Sequence, residues 1–416
     1  MRISVVGGGI SGLDAALILS SKHEVSLFES ENRLGGHAHT VKLTKSGSED
    51  VAVDTGFLVY NTLTYPHLTK FLNYLDVKTV ESDMSLAIQT GQGLEWAGTS
   101  LATVFAQKKN IFNFKFLMML REIVSFNGQA EENLILSREK KWSLADLVKF
   151  RNLSENFLKW YLLPMTGAIW SMSYAQALEF PAETFLTFCI NHHLLQVNGR
   201  PVWRTIENGS INYVNKVKDR LKSVYLNSPI ESIEQMGEHL VVSSKGQKWE
   251  FDKIVLATHA PISKALVQTV CPEMADLLGP LKTNPNKVEL HADPSVMPKN
   301  RKCWSSWNVS SQDQIRDEKS IRLTYYLNKL QPIKTSQDYF ITLNNPGPLK
   351  FVDQTFSYSH PQFNYPAIEA QEKLPGIQGK RGVFLAGAWT RYGFHEDGIL
   401  SAVNVGHLLG CNPPWN

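Results

Sequence analysis

The most constraining feature of this sequence is the glycine pattern Gly7-x-Gly9-x-x-Gly12, which follows the short run Ile-Ser-Val-Val at residues 3–6. Gly7 permits a tight turn, Gly9 lets the backbone approach a phosphate group, and Gly12 lets a following helix pack close to the strand. The N-terminal N–H groups of such a helix face the phosphates. The pattern therefore predicts a βαβ unit that binds a dinucleotide.

A carboxylate follows the second predicted strand. Residues 25–29, Val-Ser-Leu-Phe-Glu, end in Glu29, roughly 20 residues after the glycine pattern begins. An acid at that distance accepts a hydrogen bond from a ribose hydroxyl and repels a 2′-phosphate. We therefore expect the bound adenosine to lack that phosphate.

Composition excludes several classes of protein. The chain has 416 residues, of which 43% are hydrophobic and 19% charged, and its net charge of +3 gives no electrostatic support for binding nucleic acid. Four widely spaced cysteines indicate neither a disulfide framework nor a zinc site. The N-terminus enters the first predicted strand directly, and we find no apolar run of about 18 residues. We therefore expect a cytoplasmic protein.

The order of the predicted elements divides the chain into two domains. Strand-like runs at 253–258 and 383–388 are typical of buried parallel strands, whereas Tyr65-Pro66 opens a predicted helix in a mostly helical region. We predict an α/β fold with a nucleotide-binding domain at 1–63, 206–285 and 373–416. The remaining segments, 64–205 and 286–372, form a predicted α+β substrate-binding domain.

Further motifs identify a family resemblance. Arg33-Leu34-Gly35-Gly36 and Asp54-x-Gly56 follow the first glycine pattern, and two glycine-containing stretches, 387–390 and 393–398, lie near the C-terminus. In this order and spacing they resemble the flavin-containing amine oxidase superfamily. This resemblance implies a two-domain fold with an FAD-binding Rossmann-like domain interleaved with the substrate domain. Stretches such as Gly36-His-Ala-His-Thr40 and Trp304-x-x-Trp307-Asn308 resemble the branch associated with cyclopropane fatty acid synthases, which implies chemistry on acyl chains.

The resemblance also implies roles for individual residues. Arg33 would supply positive charge to the pyrophosphate, Glu396 would bind cofactor hydroxyls, and the helix that starts near Gly398 would face the flavin N1–C2=O edge. The predicted cofactor-binding residues are Gly7, Gly9, Ile10, Ser11, Gly12, Glu29, Ser30, Arg33, Leu34, Gly35, Gly36, His37, Thr55, Gly56, Phe57, Ile230, Gly387, Glu396, Asp397, Gly398 and Ile399.

Two residues are candidates for catalysis. Lys287 matches a lysine that holds a water at flavin N5 in amine oxidases, with an ordinary solvated lysine as the alternative. His395 has the titration range of an acid or base, with a neutral, backbone-bonded histidine as the alternative. His37 stands where other superfamily members carry a basic residue. The aromatic residues predicted to line the substrate cavity are Tyr60, Trp170, Trp389, Tyr392 and Phe394, with core packing as their alternative role.

Two histidine pairs raise the question of a metal site. His37-x-His39 and His192-His193 lack a third ligand at suitable spacing, so we expect no metal. The C-terminal motif has no nearby cysteine, so a cysteinyl-flavin bond is not expected, whereas attachment through His37 or His39 remains open.

The sequence favours an FAD-dependent oxidoreductase that transfers hydride from an apolar small molecule, a fatty acyl chain or another lipid, to flavin N5. O₂ or another acceptor would reoxidise the flavin. The alternatives are an H₂O₂-producing amine oxidase, a flavin-dependent double-bond isomerase and, outside the enzymes, a flavin-free lipid-binding escort protein.

Residues 108–126 combine basic residues with a nearly continuous apolar helix. A helix buried in the substrate domain is the first interpretation of this segment. Peripheral contact with a membrane, which would give access to acyl chains, is the alternative.

Overall fold

The computed structural model describes residues 1–43, 51–196, 199–311 and 321–415. The strands are β1 (Arg2–Val6), β2 (Glu24–Phe28), β3 (Thr40–Leu43), β4 (Val51–Asp54), β5 (Tyr60–Asn61), β6 (Thr79–Glu81), β7 (Leu86–Thr90), β8 (Glu95–Ala97), β9 (Trp203–Ile206), β10 (Ser223–Tyr225), β11 (Ser232–Met236), β12 (His239–Ser244), β13 (Gln247–Phe251), β14 (Lys253–Leu256), β15 (Thr283–His291), β16 (Trp307–Ser311), β17 (Arg322–Tyr326), β18 (Phe340–Leu343), β19 (Val352–Pro361) and β20 (Val383–Leu385).

The helices are α1 (Ile10–Leu19), α2 (Pro66–Tyr74), α3 (Leu101–Val104), α4 (Phe114–Gly128), α5 (Ala130–Lys140), α6 (Leu144–Phe150), α7 (Glu155–Phe157), α8 (Leu163–Trp170), α9 (Tyr174–Glu179), α10 (Ala182–Asn191), α11 (Ile211–Lys218), α12 (Ala260–Val267), α13 (Pro272–Leu278), α14 (Leu327–Leu330), α15 (Tyr365–Lys373) and α16 (His395–Leu408). A π-helical turn, Leu158–Leu162, joins α7 to α8, and a 3-10 turn, Lys108–Phe112, precedes α4. Within the described ranges, no helix combines the length and apolar character needed to cross a bilayer.

A five-stranded parallel sheet, in the order β10-β2-β1-β14-β20, forms the centre of the first domain. Alternate residues of its strands point to opposite faces. Ile3 and Val5 pack with α1, α2, α11 and α16, while Val6 packs in a second cluster with α12, α13 and α15. Both faces are therefore covered, as parallel sheets require.

A seven-stranded mixed sheet, in the order β19-β15-β18-β17-β16-β7-β8, forms the second domain with the helices between α4 and α10. This sheet and these helices share one core, which includes Phe116, Phe157, Phe185 and Ile341. Tyr325 in β17 and His360 in β19 share a cavity wall with the segments that follow β1, β2, β14 and β20.

Two helices next to the predicted domain boundaries pack against the parallel sheet. In α2, Leu68 and Phe71 pack into the core of the parallel sheet, and in α15, Ala367 and Ala370 do the same on the other face. Helical spacing of apolar residues shows that a helix has a buried face, but not which surface covers it. The boundaries at 63/64 and 372/373 remain predictions from the sequence.

Candidate functional site

The first glycine pattern forms a tight turn between β1 and α1. Gly7 has a φ of +103° and its N–H donates to the Phe28 carbonyl at 2.8 Å. A Cβ on Gly12 would lie 1.8 Å from the Gly7 carbonyl oxygen. The positive φ at position 7 favours glycine, and position 12 requires glycine because any side chain there would separate α1 from β1.

Gly9 is different, because nothing in the protein itself requires a glycine there. Its φ of −73° suits any residue, and a Cβ would meet no atom within 4 Å. Gly9 is also the N-cap of α1, so the first-turn N–H groups have no side-chain acceptor. The open space in front of this helix end suits an anionic group.

This space belongs to a cavity of about 460 Å³ at the carboxyl ends of the parallel strands. Its wall is formed by the segments that follow β1, β2, β14 and β20, namely 7–11, 29–31, 257–259 and 387–389. Crevices at this edge of a doubly wound sheet are where such folds bind ligands.

Glu29 lies on the cavity wall at the end of β2. Its Oε2 accepts the Gly8 N–H at 2.7 Å, and its Oε1 accepts the Ser30 hydroxyl at 2.9 Å and the Glu31 N–H at 2.8 Å. These bonds fix the carboxylate beside the glycine turn. Oε1 already accepts two hydrogen bonds, whereas Oε2 accepts one and keeps a lone pair that a ribose hydroxyl can use.

Gly35 and Gly36 form a second turn, which is hydrogen-bonded to the glycine turn after β1. The Gly35 N–H donates to the Gly8 carbonyl at 2.8 Å, and Gly35 and Gly36 both have positive φ, +108° and +56°. Arg33 closes this turn, since its Nη1 donates to the Gly36 carbonyl at 2.9 Å and its Nη2 lies 3.0 Å from Glu31 Oε2.

Four histidines surround the middle of the cavity: His37, His259, His360 and His395. The His37 ring centroid lies 5.5 Å from that of His360 and 6.0 Å from that of His259. Burial, reinforced by the neighbouring histidines, holds the pKa of His37 well below its usual range. Burial also lowers the pKa of His360 to about 4. The cluster is therefore neutral at physiological pH.

His395 stacks on Phe57 with ring centroids 3.7 Å apart, and its Nε2 shares a hydrogen bond with the Tyr213 hydroxyl at 3.2 Å. Burial lowers the pKa of His395 to about 3. It is a neutral hydrogen-bonding group at the N-terminus of α16.

The far end of the cavity is apolar. Its wall comes mainly from α8, α10, the seven-stranded sheet and the C-terminal motif, and includes Met84, Ile169, Trp170, Phe188, Leu194, Trp203, Trp307, Tyr325, Tyr392 and Phe394. Among the described residues that line the cavity, the only Asp, Glu, Lys or Arg side chains are Glu29 and Glu31, at the end of β2. The cavity thus combines a polar end beside the glycine turn with an uncharged aromatic end.

The family model for flavin containing amine oxidoreductases matches residues 10–332, more than half of the chain. The chain belongs to this family. No curated protein matches it in sequence.

Several solved structures share the fold over nearly their whole length. A CLA-producing fatty acid isomerase from P. acnes has 13% identity and a TM-score of 0.69, with 98% of each chain covered. Cyclohexylamine oxidase from Brevibacterium oxydans has 14% identity and a TM-score of 0.68, with 98% of this chain and 99% of that chain covered. Putrescine oxidase bound to putrescine has 13% identity and a TM-score of 0.67, with the same coverage. At these identities the likeness establishes the fold, and the predicted α/β architecture is confirmed.

Membership of the flavin-containing amine oxidoreductase family confirms the predicted cofactor, FAD, and an oxidoreductase function. The residues present fit this cofactor. The uncapped end of α1 and the open space at Gly9 lie on the cavity wall, as does His37, whose buried Nε2 has no hydrogen-bond partner among the described residues. Gly9 and the first turn of α1 would hold the pyrophosphate, and Glu29 would hold the ribose.

The structure brings many of the predicted residues together. Those on the cavity wall are Gly7, Gly9, Ile10, Ser11, Glu29, Ser30, Gly35, Gly36, His37, Gly56, Phe57, Trp170, Gly387, Trp389, Tyr392, Phe394 and His395. Those that do not line it are Gly12, Arg33, Leu34, Tyr60, Thr55, Ile230, Lys287, Glu396, Asp397, Gly398 and Ile399.

Glu396 lies off the cavity wall, and its predicted role in binding cofactor hydroxyls stays a prediction from the sequence. Its two oxygens accept the N–H groups of His67 at 3.0 Å and Leu68 at 2.9 Å, so the carboxylate caps α2. Its neighbour Asp397 accepts the Phe394 N–H at 3.0 Å and fixes the start of α16. Both carboxylates are used within the protein, because each stabilises the N-terminus of a helix.

Lys287 is also placed away from the cavity. Its side chain is 54% exposed and its Nζ lies 2.7 Å from Glu289 Oε1. Neighbouring residues of a strand face opposite sides, and here Asn286 and Val288 take the buried side. We therefore do not retain Lys287 as a catalytic candidate.

The remaining residues away from the wall have structural contacts. Thr55 Oγ1 bonds the Tyr358 hydroxyl at 2.6 Å, and a Cβ on Gly398 would lie 2.8 Å from Ile10 Cγ2, so that glycine lets α16 pack on α1. Tyr60 and Ile399 are buried in the same core as α1. Ile230 packs against the cluster on the opposite face of the sheet.

Sequence reasoning missed His259 and His360 as site residues. His259 could have been found, because it follows the predicted strand 253–258 at the same sheet edge as the glycine pattern. His360 had no such signal, since only the pairing of β19 with β15 carries it to the cavity, where its Nδ1 lies 3.3 Å from Asn286 Nδ2.

Proposed function

We propose that this FAD-dependent oxidoreductase removes hydride from a C–H bond of an apolar substrate, a fatty acyl chain or another lipid. The observation that carries the proposal is the uncharged aromatic end of the cavity. Burying an unpaired charge against such a wall is costly, whereas a methylene chain gains from leaving water. FAD, when bound, supplies the hydride acceptor.

The chain's own residues orient the substrate and exclude water. Trp170 and Phe188 lie with ring centroids 5.0 Å apart, and Phe188 stacks on Phe394 at 4.7 Å, which makes a rigid apolar wall. The neutral His395 and His360 lie on the same cavity wall. They can donate or accept a hydrogen bond without adding charge.

Amine oxidation is the second candidate, because an aromatic wall without Lys or Arg also accepts a neutral amine. The reoxidising acceptor, O₂ or another, and the cytoplasmic location remain predictions from the sequence.

The test is anaerobic bleaching of the flavin absorbance. Fatty acids and acyl lipids are expected to bleach it, and a panel of primary and secondary amines is not. Bleaching by amines alone would overturn the proposal in favour of amine oxidation. A change in the ultraviolet spectrum of a polyene without bleaching or oxygen uptake would overturn it in favour of isomerisation.

A matched pair of variants sharpens this experiment. Leu194 lies on the aromatic part of the wall and is only partly buried. Leu194→Asp adds a charge and Leu194→Asn adds a similar polar group without one. For an acyl substrate we expect the Asp variant to raise KM more than the Asn variant. For an amine, which is largely protonated in solution, we expect the Asp variant to lower KM. The opposite order would contradict the proposed substrate class.

A further inference from the structure

Two phenylalanines that follow one another closely in the chain are almost fully exposed. Phe112 is 89% exposed and Phe114 is 76% exposed. They flank the junction between the 3-10 turn at Lys108–Phe112 and α4. Contiguous exposed apolar surface marks interaction sites, whereas single exposed apolar residues are ordinary.

Helix α4 carries apolar residues on two faces. Its inner face buries Phe116, Met119 and Phe126 in the core of the second domain. Its outer face carries Phe114, Leu117, Met118, Arg121 and Val124, which recur at helical spacing and are all exposed. We call the exposed residues of this segment the α4 patch: Ile111, Phe112, Phe114, Leu117, Met118 and Val124. The first interpretation of residues 108–126, a helix buried in the substrate domain, is therefore wrong for the outer face of α4.

The charged side chains within residues 108–121 are all cations, while Glu122 follows them and Glu155 lies on the wall of an adjacent cavity. Residues 96–121 contain Lys108, Lys109, Lys115 and Arg121 and no Asp or Glu. Within the described part of the chain, none of these four cations forms an ion pair with a carboxylate. Their charge is therefore available to an anionic partner.

A polar cavity of about 340 Å³ lies beside the patch. Lys109, Asn110, Asn113 and Lys115 contribute to its wall. Lys159, also on the wall, is already paired with Glu155 at 2.6 Å. Lys109 and Lys115 can therefore meet an anionic headgroup at the edge of the apolar surface.

We propose that the α4 patch docks the protein on a bilayer that contains anionic phospholipid, with its aromatic residues among the acyl chains and its lysines at the headgroups. Exposed apolar residues flanked by unpaired cations are the features that hold interfacial helices at such surfaces. This inference is independent of the substrate proposed above, because binding to vesicles requires no turnover.

The experiment is flotation of the full-length FAD-loaded protein with vesicles of phosphatidylcholine, with and without phosphatidylglycerol. The wild type is expected to float with the anionic vesicles and to be released by salt. Phe112→Ser with Phe114→Ser should weaken binding by about tenfold for each residue, and Lys108→Gln with Lys109→Gln by about fivefold for each residue.

Phe351→Ser is the matched control, since Phe351 is 73% exposed and lies outside the patch. It should bind like the wild type, and all variants should keep the wild-type urea midpoint because the altered side chains are exposed. Failure of the wild type to bind anionic vesicles would overturn the proposal, as would unchanged binding of the Phe112→Ser, Phe114→Ser variant. Loss of a dimer in that variant, without any vesicle binding by the wild type, would assign the patch to contact between copies of the chain.

Discussion

The two glycines Gly9 and Gly12 provide a test of how the cofactor meets the protein, because they lie in one motif but face different neighbours. Replacing Gly9 by Ala adds a methyl group to open space within the cavity. Replacing Gly12 by Ala adds one 1.8 Å from the Gly7 carbonyl oxygen. The first change should act on FAD binding and the second on folding.

The magnitudes follow from the local geometry. At Gly9 the backbone conformation, φ −73° and ψ −177°, is open to alanine. Alanine reduces the conformational entropy of the unfolded chain, which stabilises the folded protein by about 0.4–1 kcal/mol. This gain offsets a loss of about 0.5–1 kcal/mol from the poorer N-cap. Stability of the FAD-free protein should thus change by less than about 0.5 kcal/mol. Inserting a methyl group where the pyrophosphate packs should weaken FAD binding by about 1–3 kcal/mol, or roughly 5- to 150-fold in Kd.

The assay is a fluorescence titration of FAD into the FAD-free protein, combined with urea unfolding of the same samples. Gly98→Ala is the matched control, because its Cβ would meet only Trp96 Cζ3 at 3.8 Å, outside the cavity. Gly98→Ala should keep the wild-type Kd, and Gly12→Ala should fail to fold. A wild-type Kd for Gly9→Ala would refute the reasoning that the cofactor approaches the backbone at Gly9.

Three further predictions concern buried titratable groups. Glu396→Gln should lower the free energy of unfolding by about 1–2 kcal/mol, because it weakens the cap of α2. The Kd for FAD should not change, and a higher Kd would support the predicted role of Glu396 in binding the cofactor. Among the described residues Asp14 has no hydrogen-bond partner, and burial, followed by the charge of Glu396, raises its pKa well above the usual range. The protonated form of Asp14 is favoured in the folded protein, so the free energy of unfolding falls as pH rises above about 4. This fall is up to about 1.4 kcal/mol per pH unit. Urea unfolding of Asp14→Asn should show that it is absent from the variant. The pKa of His395 is lowered to about 3, so its contribution to the free energy of unfolding is present above pH about 6.5 and is lost as pH falls. His395→Phe should therefore make the loss of stability in acid shallower. An unchanged dependence of stability on pH would contradict the burial of His395 as a neutral group.

The sequence by itself determined the parts of the site that depend on local backbone. Gly7 and Gly12 are required by a strand–turn–helix unit only a few residues long, and Glu29 ends the next strand, so periodicity and spacing were enough to predict the cofactor end of the cavity. The aromatic character of the C-terminal motif was also visible, and Trp389, Tyr392 and Phe394 do lie on the wall.

Only the tertiary structure decided the rest, because it depends on which surfaces meet. Glu396 caps α2 because α2, more than 300 residues earlier in the chain, packs beside α16. The register of β15 turns Lys287 toward solvent, and its pairing with β19 brings His360 to the cavity. In a strand, a shift of one residue exchanges buried and exposed faces, and no local pattern in this sequence fixes that choice.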